Sequence, residues 1–177
     1  MIITGIGARA TPDHICELFT ELGIEARTRG WWVRSGHADG ADYAFEKGAT
    51  SNCIVYMPWS TFNKDKEVLG VPRTQQLRDE VLKIVYKHEK YAKDLSDGVK
   101  LIKSRNVYQV LGEDLKSPSD LVVCWTPYGE VTGGTGLAIK IATANNIPVI
   151  NVGDFETEKS FNSLLREVVS NVEVNHG

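Results

Sequence analysis

Three times in this chain a short apolar run passes straight into a glycine-rich turn and then into a segment with helical spacing. No other feature narrows the fold as much. The runs are residues 1–4 (MIIT), 31–35 (WWVRS) and 120–125 (DLVVCW). Two further runs, 53–57 (CIVYM) and 148–152, complete a set of five strand candidates. Several are apolar without alternation, as strands covered on both faces are. Short strands separated by helical crossovers build an open, mainly parallel sheet with helices on both faces, a Rossmann-like α/β fold. Five strands in this arrangement predict the order 3-2-1-4-5.

The helices follow from spacing. Thr11 as N-cap and Pro12 at the first helical position predict a helix carrying Ile15, Leu18, Phe19 and Leu22, with Gly23 as a kink or early stop and Gly30 as its end. Residues 41–49 predict a short helix facing the sheet through Ala41, Ala44 and Phe45. Residues 58–72 read as an irregular loop, 73–94 as a helix with Leu77, Val81, Ile84 and Val85 buried, and 98–111 as another. The stretch 58–119 is thus expected to be a helical insertion between strands three and four, within one domain spanning 1–177. A helix from the 126–134 turn to about residue 145, and one over 160–170 buried through Phe161, Leu164, Leu165 and Val168, finish the pattern.

In sheets of this kind ligands sit outside the carboxyl ends of the strands, where the winding reverses. The turns to inspect are those after strands one, two and four, and all three are rich in glycine. The first supplies Gly5, Gly7 and Arg9; glycines let backbone N–H groups approach a phosphate, and Arg9 suits a bidentate pair with one. The second supplies Gly36, His37, Ala38 and Asp42. Asp42 falls in the first helical turn, where it either complements the helix dipole or accepts from a ribose hydroxyl. His37 is a candidate acid or base with no evident partner in sequence. The third supplies Thr126 and Gly133, Gly134, Thr135 and Gly136, which open a helix with N–H groups and a hydroxyl suited to a phosphate. Arg105 and Asn106 in the insertion suit a phosphate and a base edge or ribose. Trp59, Phe62 and Trp125 serve either as stacking surfaces or as core. The histidines, His14, His37, His88 and His176, form no metal-ligand spacing, so no metal and no cofactor is expected.

At these residues the chain resembles the SLOG superfamily, the Rossmann-like group that joins DNA-processing protein A to the Lonely-guy phosphoribohydrolases. The matching stretches are TGIGAR at 4–9, SGHADGADYAFEKGA at 35–49 and GGTGLAIKIATANNIPVIN at 133–151. RNVYQVLGEDL at 105–115 and VVCWTPYG at 122–129 are similar to small standalone relatives of DNA-processing protein A in phages and bacteria. The resemblance covers nearly the whole chain and implies a nucleotide-binding domain that assembles as a homo-oligomer. It also marks departures. Lys140 stands where the phosphoribohydrolases carry the glutamate that supports N-glycosidic cleavage, and Leu137 replaces a threonine. A lysine cannot accept a proton or steady an oxocarbenium ion as a carboxylate does. His37 and Asp39 replace a glycine and an arginine of the DNA-processing pattern.

The resulting expectation is a protein that binds a phosphate-bearing, nucleotide-derived small molecule. By analogy with SLOG sensors, it would sequester an ADP-ribose-like or cyclic-nucleotide immune signal. The alternative is a nucleotide N-glycosidase, which would need another carboxylate, with Asp42, Glu130 or Asp120 the candidates. A second alternative is a single-stranded DNA-binding accessory. The net charge of −3 and pI near 5.8 argue against a dedicated nucleic-acid binder. Three scattered cysteines without a CxxC pair suit reduced thiols, and no run approaches the roughly 18 apolar residues of a membrane span. A cytoplasmic location is expected on those grounds.

Overall fold

The computed structural model describes residues 1–154 and 160–176. Six strands form one all-parallel sheet: β1 (Ile2–Gly7), β2 (Trp32–Ser35), β3 (Cys53–Met57), β4 (Val71–Thr74), β5 (Leu121–Trp125) and β6 (Val149–Asn151), in the order β4-β3-β2-β1-β5-β6. The five strands expected from the sequence keep their relative order. The correction is an added edge strand, β4, inside what reads as loop and helix start. Its sequence, Val-Pro-Arg-Thr, has one apolar residue and a proline, so only its pairing with β3 makes it a strand.

Among the described residues six α-helices cover the sheet. α1 (Asp13–Thr28), α2 (Ala41–Ala49) and α6 (Phe161–His176) lie on one face; α3 (Asp79–His88), α4 (Asp97–Leu111) and α5 (Gly133–Ala144) lie on the other. Strand alternation divides the core accordingly. Ile3, Leu121, Val123 and Val55 face α1 and α2 with Phe19, Leu22 and Phe45. Ile6, Val122, Cys124 and Tyr56 face α3, α4 and α5 with Val85, Val107, Tyr108 and Leu137.

Several local expectations change. Pro12, not Thr11, is the N-cap of α1, and the Thr11 hydroxyl donates to the Ala8 carbonyl at 2.5 Å. Gly23 neither kinks nor ends α1. It is where α1 meets α2: a Cβ on Gly23 would lie 2.7 Å from the Phe45 carbonyl oxygen, and one on Gly48 would lie 2.1 Å from that of Thr20. Residues 75–78 precede α3, which starts at Asp79 with Asp79 and Glu80 in its first turn; Leu77, expected in the core, is exposed. α6 runs on to His176.

Candidate functional site

The carboxyl ends of β1 and β5, where the winding reverses, open onto a cavity of about 360 Å³. Gly7, Ala8 and Arg9 line it from the first turn, Ala38 and Asp42 from the second, and Thr126, Pro127 and Thr132 to Thr135 from the third. α4 closes the remaining side with Ile102, Arg105 and Asn106.

The turns are bound to one another before any ligand is considered. β1 extends through Gly7, so Gly5 is a strand residue facing α2. A Cβ on Gly5 would sit 2.3 Å from the Phe45 ring, and one on Gly7 would sit 2.5 Å from the Ala41 Cβ. Gly5 is therefore a packing glycine outside the cavity, whereas Gly7 also reaches the cavity wall. Gly40, with φ of 79°, caps α2; a Cβ there would meet the Ala8 and Arg9 carbonyls at 2.6 and 2.8 Å.

Asp42 holds the first two turns together. Its Oδ1 accepts from the Gly7 N–H at 3.1 Å and its Oδ2 from the Gly36 N–H at 3.2 Å. Arg105 donates through Nη1 to the Gly36 carbonyl at 2.9 Å, and its guanidinium lies 5.2 Å from the centre of the Phe62 ring. Burial pushes the Asp42 carboxyl up to about 6, although Arg105, the two N–H groups and the Gln109 amide pull the other way. Burial likewise draws the Arg105 guanidinium down. Both Asp42 oxygens are thus committed to backbone donors. Gln109, which sequence reasoning missed, stands one turn beyond Arg105: a Cβ on Gly36 would lie 2.8 Å from both Gln109 Oε1 and Arg105 Nε. The four-residue spacing from Arg105 is the signal that places them on one helical face.

His37 is brought to a different place. It has φ of 59°, is fully buried and does not line the cavity. Its Nδ1 lies 2.8 Å from Oε2 of Glu46, which is also fully buried; the second carboxylate oxygen of Glu46 accepts from the Leu69 N–H at 2.7 Å. With the carboxylate as acceptor, Nδ1 carries the proton. Glu46 follows Asp42 by four residues, so both project from one side of α2, a spacing that marks a second inward carboxylate.

The third turn is different again. Thr132 is the N-cap of α5 and makes no side-chain cap, so the first N–H groups of α5 are left open toward the cavity. Gly133 has φ of 63°, and a Cβ there would meet no atom within 4 Å, while Asn106 Nδ2 donates to the Gly134 carbonyl at 3.0 Å. Gly136 backs onto Val131, 2.8 Å from where its Cβ would be, and lies outside the cavity. Thr126 is a wall residue whose hydroxyl accepts from Asn151 Nδ2 at 2.6 Å, tying β5 to β6.

The remaining candidates separate from the cavity. Glu130 and Lys140 are exposed and do not line it. Asp120 accepts from the Ile2 N–H at 2.7 Å, at the opposite, amino-terminal edge of the sheet. Trp59 packs edge-on to Phe62, and Trp125 is half-buried against the α1 and α2 core. Among the described residues no group of three or more His, Cys, Asp or Glu side chains is placed to hold a metal ion, and no helix is long and apolar enough to cross a membrane.

No family model matches the chain, and no curated protein matches its sequence. Solved structures do match. DNA processing protein A from Helicobacter pylori, described for its single-stranded DNA binding mode, superposes with a TM-score of 0.59 at 16% identity, over 96% of this chain and 73% of that one. The molybdenum cofactor (Moco) carrier protein of Chlamydomonas reinhardtii superposes with a TM-score of 0.61 at 18% identity, over 97% of both chains. With these two proteins the chain shares its fold, an open parallel Rossmann-like sheet covered by helices.

Proposed function

We propose that the protein binds a phosphate-bearing, nucleotide-derived small molecule in this cavity and holds it without cleaving it. The observation that carries the reading is the uncapped start of α5, whose open N–H groups face a cavity that Arg9 also borders. A helix N-terminus and an arginine together favour a bound anion. Arg9 is exposed and makes no hydrogen bond or salt bridge among the described residues, so its charge is available to a ligand. Binding is favoured over hydrolysis by the placement of the carboxylates. Asp42 is committed to two backbone donors, and Glu130 stands outside the cavity, as does Lys140, the residue at the place in the sequence motif where the phosphoribohydrolases carry their glutamate. The Moco carrier, named for a small molecule that it carries, has the same fold and is consistent with this reading; a carrier or a sink for a nucleotide signal would work alike.

Calorimetry against nucleoside mono- and diphosphates, with chromatography of the recovered ligand, tests the proposal. Arg9→Ala removes a charge-assisted hydrogen bond of about 1.5–3 kcal/mol and should weaken binding roughly 10- to 100-fold, with the ligand recovered intact. Steady product formation by the wild type, or no binding by any nucleotide, would overturn it.

A further inference from the structure

We infer that Tyr128 is a specificity-determining residue of the cavity: its ring turns over the mouth and stacks on a flat heteroaromatic group of the bound molecule, while α5 and Arg9 hold the anion. The inference rests on the binding reading above. Among the described residues, six that are not glycine have a left-handed backbone: His37, Thr50, Asn63, Leu115, Tyr128 and Asn146. Five of them have a local reason. The two asparagines adopt this conformation readily. His37 is fixed by Glu46, the Thr50 hydroxyl accepts from Arg27 Nη1 at 2.8 Å, and Leu115 packs against the core beneath α3, α4 and α5. Tyr128, with φ of 54° and ψ of 20°, has none. It is 90% exposed, and among the described residues it makes no hydrogen bond and no ring or cation contact. A bulky side chain is thus kept where glycine would fit without strain, and the fold gains nothing from it.

The backbone beneath the ring is fixed. The Gly129 N–H donates to the Thr126 carbonyl and the Glu130 N–H to the Pro127 carbonyl, each at 3.1 Å. On its other side the turn rests on Gly153, where a Cβ would collide with the Thr126 carbonyl. The two side-chain torsions of Tyr128 are left to move, so ordering its ring loses little entropy. Its place is the rim: Thr126 and Pro127 before it and Thr132 after it line the cavity, and α5 opens there. None of the described residues that line the cavity is aromatic, so the walls hold an anion and offer no flat face to a ring. Phe62 and Trp59 pack on each other, and Trp125 packs against the α1 and α2 core. That leaves Tyr128, among the described residues, as an aromatic side chain at this rim without a partner. A tyrosine ring stacks on any heteroaromatic base with little regard to its identity, so Tyr128 selects for the presence of a base and not for its kind.

The experiment compares AMP, GMP, CMP and UMP with ribose 5-phosphate, which lacks the base, by calorimetry on the full chain. Wild type should bind at least one nucleotide about 10-fold more tightly than ribose 5-phosphate. Tyr128→Ala and Tyr128→Gly should weaken that nucleotide about 10-fold or more, as loss of a stacking ring does, and leave ribose 5-phosphate within about 2-fold. Tyr128→Phe keeps the ring and should stay within about 2-fold of wild type for both. In guanidinium titrations Tyr128→Gly should unfold at the wild-type midpoint or above it, because glycine relieves the left-handed backbone. A lower midpoint shows that the ring serves the fold and overturns the inference. So does nucleotide affinity that survives Tyr128→Ala, an equal loss for ribose 5-phosphate, or a wild type that binds ribose 5-phosphate as tightly as every nucleotide; each leaves the anion-binding cavity standing. Failure of all five compounds to bind overturns both readings.

Discussion

Asp42→Asn is the substitution that most sharply tests how the site is built. At neutral pH the wild-type carboxylate accepts one backbone N–H on each oxygen. Asparagine keeps one acceptor and turns its NH2 group toward the other N–H, so one buried donor loses its partner. That costs about 1–3 kcal/mol. The pH dependence adds a second, independent signature. Burial raises the carboxyl from 3.8 to about 6. Between those values the folded state holds a proton that the unfolded chain does not, so this group's contribution to stability is full below about pH 4 and is lost as pH rises through 6. At about 1.4 kcal/mol per pH unit the swing approaches 3 kcal/mol. Asparagine does not titrate. The unfolding free energy of the wild type minus that of the variant should therefore rise as pH is lowered from about 7.5 toward 4.5. Guanidinium titrations across that range measure it, and most other titrating groups cancel in the difference. A signed difference that stays constant, or falls toward acid, refutes the reasoning that burial dominates at Asp42.

Thr132→Asp should give α5 the side-chain cap it lacks, raising stability by about 1 kcal/mol in a denaturant titration, while the new carboxylate lowers nucleotide affinity at least about 10-fold by calorimetry. Gly48→Ala should lower stability by about 2–3 kcal/mol in thermal melts, because its Cβ meets the Thr20 carbonyl. Gly98→Ala in α4, with nothing within 4 Å, should instead stabilise by about 0.5–1 kcal/mol. Glu46→Ala should cost about 1–3 kcal/mol for the buried His37 Nδ1 it orphans, and less for the part-buried Leu69 N–H, and leave nucleotide affinity little changed.

The sheet was legible where burial on both faces leaves an unbroken apolar run, as at Cys53–Met57 and Leu121–Trp125. β4 was not, because an exposed edge strand needs no apolar pattern and owes its existence to a partner distant in sequence. The switch-point location and the GGTG start of α5 could be read from residue types alone. Which glycine serves packing and which serves the cavity could not: Gly5 and Gly7 look alike in sequence, and what separates them is the Phe45 ring above one and the open cavity beside the other. His37 and Asp42 are a similar case. Both stand near the second turn, but Glu46, reached only through the fold of α2, turns the histidine away from the cavity.

β4 also sets how copies of this chain can meet. The Gln75 N–H donates to the Met57 carbonyl, so in β4 the odd-numbered residues point their backbone groups at β3 and Pro72 and Thr74 point theirs outward. Pro72 has no N–H to offer, and Arg73 beside it is exposed. An incoming strand would find a gap in the row of donors and a charge to desolvate, which is how natural sheets keep their borders from growing. On this border the sheet is closed to addition, and any assembly of the protein on that side is left to surfaces made of side chains rather than shared backbone.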